Sequence, residues 1–231
     1  MSRLGIVTGL RFEADALVAA RRRAGIAADR ILIETMGPGR ARARRAAQSL
    51  IDRGCDAILS MGLAGGLDPG LSCGDIVLSE TVLGPQSRPI ACDPELIASA
   101  ARLMNDGPSF RQGILLDAVA PVTTIGAKRA LYRDYRALAV DMESYGAAEA
   151  AAAAKVPFLS LRVIGDPADQ EIPVIALLGM REDGSVDPWR VLGGALKSPS
   201  ALPGLLRLGK QSKRAVSVLG RLGEILFSGG L

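Results

Sequence analysis

Short apolar runs of strand length, each followed by a stretch with helical spacing, constrain this chain more than any other feature. Residues 4–8, 31–35 and 57–61 are such runs, too short for buried helices and long enough for buried strands. Between them, 13–23 and 40–53 carry helical periodicity, with Ala43, Ala46, Ala47 and Leu50 on one face of the second. The pattern continues with strands expected at 75–83, 114–119, 137–142 and 157–164, and helices at 94–104 and 144–155. Strands alternating with helical crossovers predict an α/β fold, a single domain with a mixed, mostly parallel central sheet flanked by helices. Beyond Asp166 the pattern changes. Residues 167–187 read as loop, and helices are expected at 189–196 and 205–227. The 231 residues show no internal repeat, so one domain spans 1–231 and ends in a basic amphipathic segment, 195–231.

Histidine is absent, which excludes a Ser-His-Asp triad, a Cys-His pair, an HExxH zinc site and a histidine pH switch. Acid–base chemistry near neutrality then falls to carboxylates, Lys, Tyr or Cys. Cys55, Cys73 and Cys92 form no CxxC pair and read as reduced thiols of a cytoplasmic protein. The first residues lack the pattern of a signal peptide, and no apolar run is long enough to span a membrane. The net charge of +4 is unevenly placed. Residues 195–231 hold six bases against Glu224, a net +5, which leaves −1 for the other 194 residues. Aromatic residues are 3% of the chain. A near-neutral body with few stacking groups argues against nucleic-acid binding.

Two features carry chemistry. Gly62-Leu63-Ala64-Gly65-Gly66 follows a strand but has neither dinucleotide nor P-loop spacing. It is either a close approach of backbone to a small ligand or a tight turn. Glu13, Glu143 and Asp166 each stand near a strand end. Singly, each reads as a helix-start or turn residue; together, three strand ends at one sheet edge can converge on one crevice.

At these same positions the chain resembles the nucleoside phosphorylase superfamily, specifically its 5′-methylthioadenosine/S-adenosylhomocysteine nucleosidase branch. Gly5-Ile6-Val7-Thr8-Gly9 through Glu13 resembles the opening strand and its Glu, and Gly62–Leu67 with Gly74-Asp75-Ile76-Val77 resembles GSAGGL…GDIV. Val140-Asp141-Met142-Glu143 resembles VEMEA, and Arg162-Val163-Ile164-Gly165-Asp166-Pro167-Ala168-Asp169-Gln170 resembles RxISDxADQ. The whole chain is most similar to the hopanoid-associated phosphorylases, a subgroup thought to act on adenosylhopane. The resemblance implies cleavage of the N-glycosidic bond of a 5′-substituted adenosine and release of adenine. It implies Asp166 as the acid that protonates purine N7, Glu13 as the base that activates water, and Glu143 as acceptor from the ribose 2′- and 3′-hydroxyls. Met142 would pack on the sugar, and Ala64 and Gly65 would contact substrate. It also implies a homo-oligomer and needs neither metal nor cofactor.

The departures concern the nucleophile. Leu63 stands where the nucleosidases carry Ser, and Ser60 where uridine-type phosphorylases carry a phosphate-binding Arg. Phosphate as co-substrate would therefore rely on Arg11, Arg40 or backbone amides. The segment 118–123 lacks the aromatic that stacks on the purine. Glu13 favours water and the subgroup favours phosphate; phosphorolysis of adenosylhopane is the leading expectation, with hydrolysis as its alternative. A non-catalytic nucleotide- or lipid-binding protein is the opposing class. In 205–227, Leu205, Leu206, Leu208, Leu219, Leu222 and Phe227 alternate with Arg207, Lys210, Lys213, Arg214 and Arg221. This stretch is either a closing helix packed on the sheet or an interfacial helix that draws a lipid-linked substrate from the inner face of a membrane.

Overall fold

The computed structural model describes residues 3–84, 88–105, 108–179, 181, 183–187 and 202–231. Strands β1 (Leu4–Thr8), β2 (Ile31–Thr35) and β3 (Ala57–Gly66) run parallel with β1 in the middle, joined by helices α1 (Arg11–Arg23) and α2 (Arg40–Asp52). The remaining strands are β4 (Ile76–Leu83), β5 (Pro89–Ala91), β6 (Phe110–Asp117), β7 (Ala139–Asp141) and β8 (Phe158–Asp166). β8 pairs parallel with β3 and antiparallel with β4; β4 runs parallel to β6, β6 parallel to β7, and β7 antiparallel to β3. Five strands thus close on themselves beside the open β1–β2 edge. The architecture is the expected α/β domain with a mixed, mostly parallel sheet.

The other helices are α3 (Pro94–Met104), α4 (Ile125–Tyr135), α5 (Ser144–Ala154), α6 (Val174–Leu178) and α7 (Leu202–Ser228). β1 and β8 are buried almost throughout because helices cover both faces of their sheet. The C-terminal half of α7 is a packed closing helix: Leu219, Leu222, Leu226 and Phe227 are buried. Gly223 lets α7 approach α1, since a Cβ there would stand 2.9 Å from Leu17 Cδ2. The half before Ala215 is different. Leu206 is 71% exposed, and Arg207, Lys210, Lys213 and Arg214 face outward. Among the described residues no helix is long and apolar enough to cross a membrane.

Several elements differ from expectation. The glycine cluster is not a turn but the end of β3, held in extended form by pairing with β7 on one side and β8 on the other. β6 begins at Phe110 and β8 runs on to Asp166, further than their apolar runs suggest, because ladder pairing continues into less apolar residues. α4 and β5 carry no strong apolar pattern, and α6 forms inside the expected loop. The expected helix at 189–196 lies outside the described residues.

Candidate active site

Register brings the chemistry together. Gly65 of β3 is flanked by Val140 of β7 and by Asp166 of β8, so the chain entering Glu143 and the end of β8 border one glycine. A Cβ at Gly65 would lie 3.1 Å from Asp166 Oδ2, and one at Gly9 would lie 2.9 Å from Glu143 Oε1. The small residues let the carboxylates draw in. They border a cavity of about 270 Å³ lined by Glu13, Ala64, Gly65, Met142, Glu143 and Asp166, with Asp141 and Leu63. Phe12, Pro38, Val122, Ile172, Leu177 and Leu208 supply much of its apolar wall.

Glu13 opens α1 and is buried. Its Oε2 accepts from the N–H groups of Gly9 (3.1 Å) and Leu10 (2.9 Å), and its Oε1 from the N–H of Leu63 (2.8 Å). It is therefore both a helix-start group and a cavity wall. Burial raises its pKa above the ordinary 4.5, against the backbone donors and Arg162. A raised pKa makes a better base. Glu143 accepts from Gly39 N–H at 2.9 Å through Oε1 and from Met142 N–H at 3.2 Å through Oε2. Burial first, then the neighbouring Asp141 charge, push its pKa up to about 7. Asp166 is raised to about 6 by burial, opposed by Lys128.

Two cations that the sequence reading gave no role hold this site. Arg162 of β8 is 1% exposed. Its Nε donates to Asp141 Oδ2 at 2.7 Å and its Nη2 to the Ser60 and Ser144 hydroxyls at 2.6 and 2.9 Å. Its positive charge also favours the ionised forms of Glu13 and Glu143. Lys128 of α4 is fully buried, with Nζ 2.6 Å from Asp166 Oδ2. A charge inside the apolar run 158–164 was the available signal for Arg162.

Arg11 and Arg40 are not among the described residues lining the cavity. Arg11 is mostly exposed and pairs with Asp183 at 2.9 Å. Arg40 pairs with Asp117 and lies 5.4 Å from the Tyr145 ring centroid. Ser60 is buried in the Arg162 network. Cys55, Cys73 and Cys92 are buried free thiols, and the described residues include no cluster of three metal-ligating side chains.

Residues 5–177 match the model of the phosphorylase superfamily. The chain belongs to that superfamily. Among phosphorylase-superfamily relatives, a futalosine hydrolase of Streptomyces coelicolor is 31% identical over 157 residues, 59% of this chain and 66% of that protein. A 5′-methylthioadenosine/S-adenosylhomocysteine nucleosidase of Tolumonas auensis is 27% identical over 171 residues, 65% of this chain and 74% of the relative. The solved futalosine hydrolase of Helicobacter pylori shares the fold with a TM-score of 0.75, at 16% identity, over 97% of each chain.

Proposed function

We propose that this chain is an enzyme that hydrolyses the N-glycosidic bond of a 5′-substituted adenosine, releasing adenine and a free ribose. One observation carries the choice of water over phosphate. Four carboxylates line the cavity, and no Lys or Arg is among its described lining residues. A phosphate dianion would enter that field with no cation among the described lining residues to pair with, whereas water needs only a base. The two relatives named above bear the names of hydrolytic enzymes, a futalosine hydrolase and a nucleosidase, which supports the same choice. This reading sets aside the expected phosphorolysis and gives Arg11 and Arg40 structural pairings instead.

The residues supply the steps. The Asp166 carboxyl gives its proton to purine N7 as the C1′–N9 bond breaks, and the bonding electron pair leaves with the base. Glu143 accepts from the ribose hydroxyls while positive charge develops on the sugar. Met142 lines the cavity beside them, a polarizable apolar side chain suited to a cationic ring. Water attacks C1′ and passes its proton to Glu13, which releases it to solvent as Asp166 regains one from solvent. A water molecule is thereby divided between purine and ribose.

The apolar wall supports a substrate whose 5′ substituent is apolar and bulky, of which adenosylhopane is an example. Exposed Leu206 and the outward bases of α7 lie next to cavity-lining Leu208. That arrangement supports substrate uptake at an anionic lipid surface. The experiment is adenine release from methylthioadenosine and from adenosylhopane, with and without phosphate, and with the sugar product identified. Free ribose formed at the same rate in both conditions is expected. Ribose 1-phosphate formed only with phosphate would overturn hydrolysis.

A further inference from the structure

Lys128 has an unusual position for a lysine. It sits in the inward stripe of α4 with Ile125, Leu131 and Tyr132, where an apolar residue would ordinarily pack, and it is 0% exposed. Its Nζ donates to Asp166 Oδ2 at 2.6 Å, to Pro167 O at 2.8 Å and to Gln170 O at 2.9 Å, with Asp166 O at 3.3 Å. Three N–H donors thus meet three close acceptors, so the ammonium is satisfied and held in place. Burying an ammonium is costly unless it is paired and hydrogen-bonded, and here both conditions are met. The clamp joins α4, which follows the 118–123 segment, to the end of β8. The hydrogen bond from Ile172 N–H to Thr123 O, 2.9 Å, ties the same two segments again.

We propose that Lys128 is the positioning residue of Asp166: its ammonium fixes Oδ2, leaves Oδ1 to exchange the proton with the leaving purine, and stabilises the carboxylate that remains. The inference rests on the reading of Asp166 as the acid. Oδ1 has no hydrogen-bond partner among the described residues, and Asp166 lines the cavity. The charged groups around it are unequal in reach. Glu13, Asp141 and Glu143 border the same cavity, with Arg162 behind them bonded to Asp141. The Cys73 thiol is close enough to feel Asp166, and Asp169, Arg207 and Arg214 line the adjoining polar cleft. Lys128 alone among the described residues donates to the Asp166 carboxylate. Burial raises the pKa of Asp166 and Lys128 opposes it, so the balance leaves about 6. Without the cation the acid would hold its proton too firmly and would lose its fixed orientation.

The test follows kcat/KM for adenine release from pH 5 to 8 in the wild type, Lys128→Met and Lys128→Gln. Loss of the cation should move the Asp166 midpoint up by about one pH unit and lower the low-pH rate about tenfold or more. The activity of each variant relative to wild type should then rise about tenfold between pH 5 and 8, because wild-type Asp166 loses its proton over that range and the variant keeps it longer. Lys128→Arg, which keeps the charge, should hold a constant ratio. A ratio independent of pH in Lys128→Met and Lys128→Gln would reduce Lys128 to a packing residue and overturn the inference. Asp166→Asn with near-wild-type activity would instead remove the reading of Asp166 as acid, so the two failures are distinguishable. If the Lys128 variants do not fold, the ¹⁵Nζ resonance of Lys128 is read in the wild type. It should titrate with a midpoint near the Asp166 value of about 6 and lose that step in Asp166→Asn. A resonance that passes through that range unchanged would refute the coupling.

Discussion

Replacing Glu143 by Gln removes a buried carboxylate whose pKa is pushed up to about 7 by burial and by Asp141, and the cost of that change should depend on pH in a calculable way. Ribose recognition requires the ionised form, because only a carboxylate accepts from both hydroxyls without offering a donor. At pH 8 wild-type Glu143 is about nine-tenths ionised, and at pH 5 only about one-hundredth. A protonated carboxyl and an amide present nearly the same groups, one acceptor oxygen and one donor. Wild type and Glu143→Gln should therefore converge at low pH and separate as pH rises. Two charge-assisted hydrogen bonds weakened to neutral ones should cost about 100-fold in kcat/KM at pH 8. The ratio of wild type to variant should shrink by about 50-fold on going to pH 5, to about two. Taking the ratio cancels the contribution of Asp166, which titrates in both proteins. The sign follows from the raised value: Glu143 is neutral below about 7, so the functional carboxylate is lost as pH falls. The assay is initial-rate adenine release at subsaturating substrate, with a thermal melt at each pH to confirm folding. A ratio that stays constant from pH 5 to 8 would refute either the raised pKa or the need for charge.

Asp166→Asn should lower adenine release by about 100-fold or more while ligand binding persists, since an amide can donate a hydrogen bond but not a proton; stopped assays with calorimetric binding check both. Glu13→Gln should lower free-ribose formation by about 100-fold or more, and added phosphate should not restore it. Product chromatography decides this, and phosphate rescue would return the reading to phosphorolysis. Leu219→Ala should cost about 2–5 kcal/mol in chemical denaturation, because Leu219 is fully buried where α7 closes the domain. Reversal of Arg207 and Lys210 to Glu should weaken binding to anionic vesicles and slow turnover of a vesicle-borne adenosyl lipid while sparing methylthioadenosine. Unchanged vesicle binding by the folded reversal variant would make the first half of α7 ordinary surface.

The legible part of this fold was the part whose residues do in sequence what they do in space. β1, β2 and α2 follow from apolar runs and helical spacing because both faces of the sheet around them are covered and the pattern has one explanation. The glycine run was harder. Glycine announces that something comes close, and Gly9, Gly62 and Gly65 do admit carboxylates or Arg162, but the same letters also suit a turn. What made them strand was pairing with β7 and β8, partners more than seventy residues downstream. The carboxylates were visible singly, and the register at Gly65 supplied their meeting point.

The cations were the illegible part, for a physical reason. Lysine and arginine are so commonly solvated that a pattern reading assigns them to the surface unless their environment is known. Lys128 is next to Arg129 in sequence, and only the stripe formed with Ile125 and Leu131 turns it inward. An apolar residue there would pack α4 as well and would bring no desolvation cost. It would also leave Pro167 O, Gln170 O and one oxygen of Asp166 without the donor they now share. The lysine therefore satisfies a loop that hydrophobic packing could not satisfy, and it does so beside the one carboxylate read as the acid. Arg162 donates to Asp141 and plays the corresponding part for Glu13 and Glu143. Each buried cation thus restrains carboxylates whose burial alone would keep them protonated. The chemistry proposed for the cavity needs that restraint, since one carboxyl must give up a proton while two others must already have lost theirs.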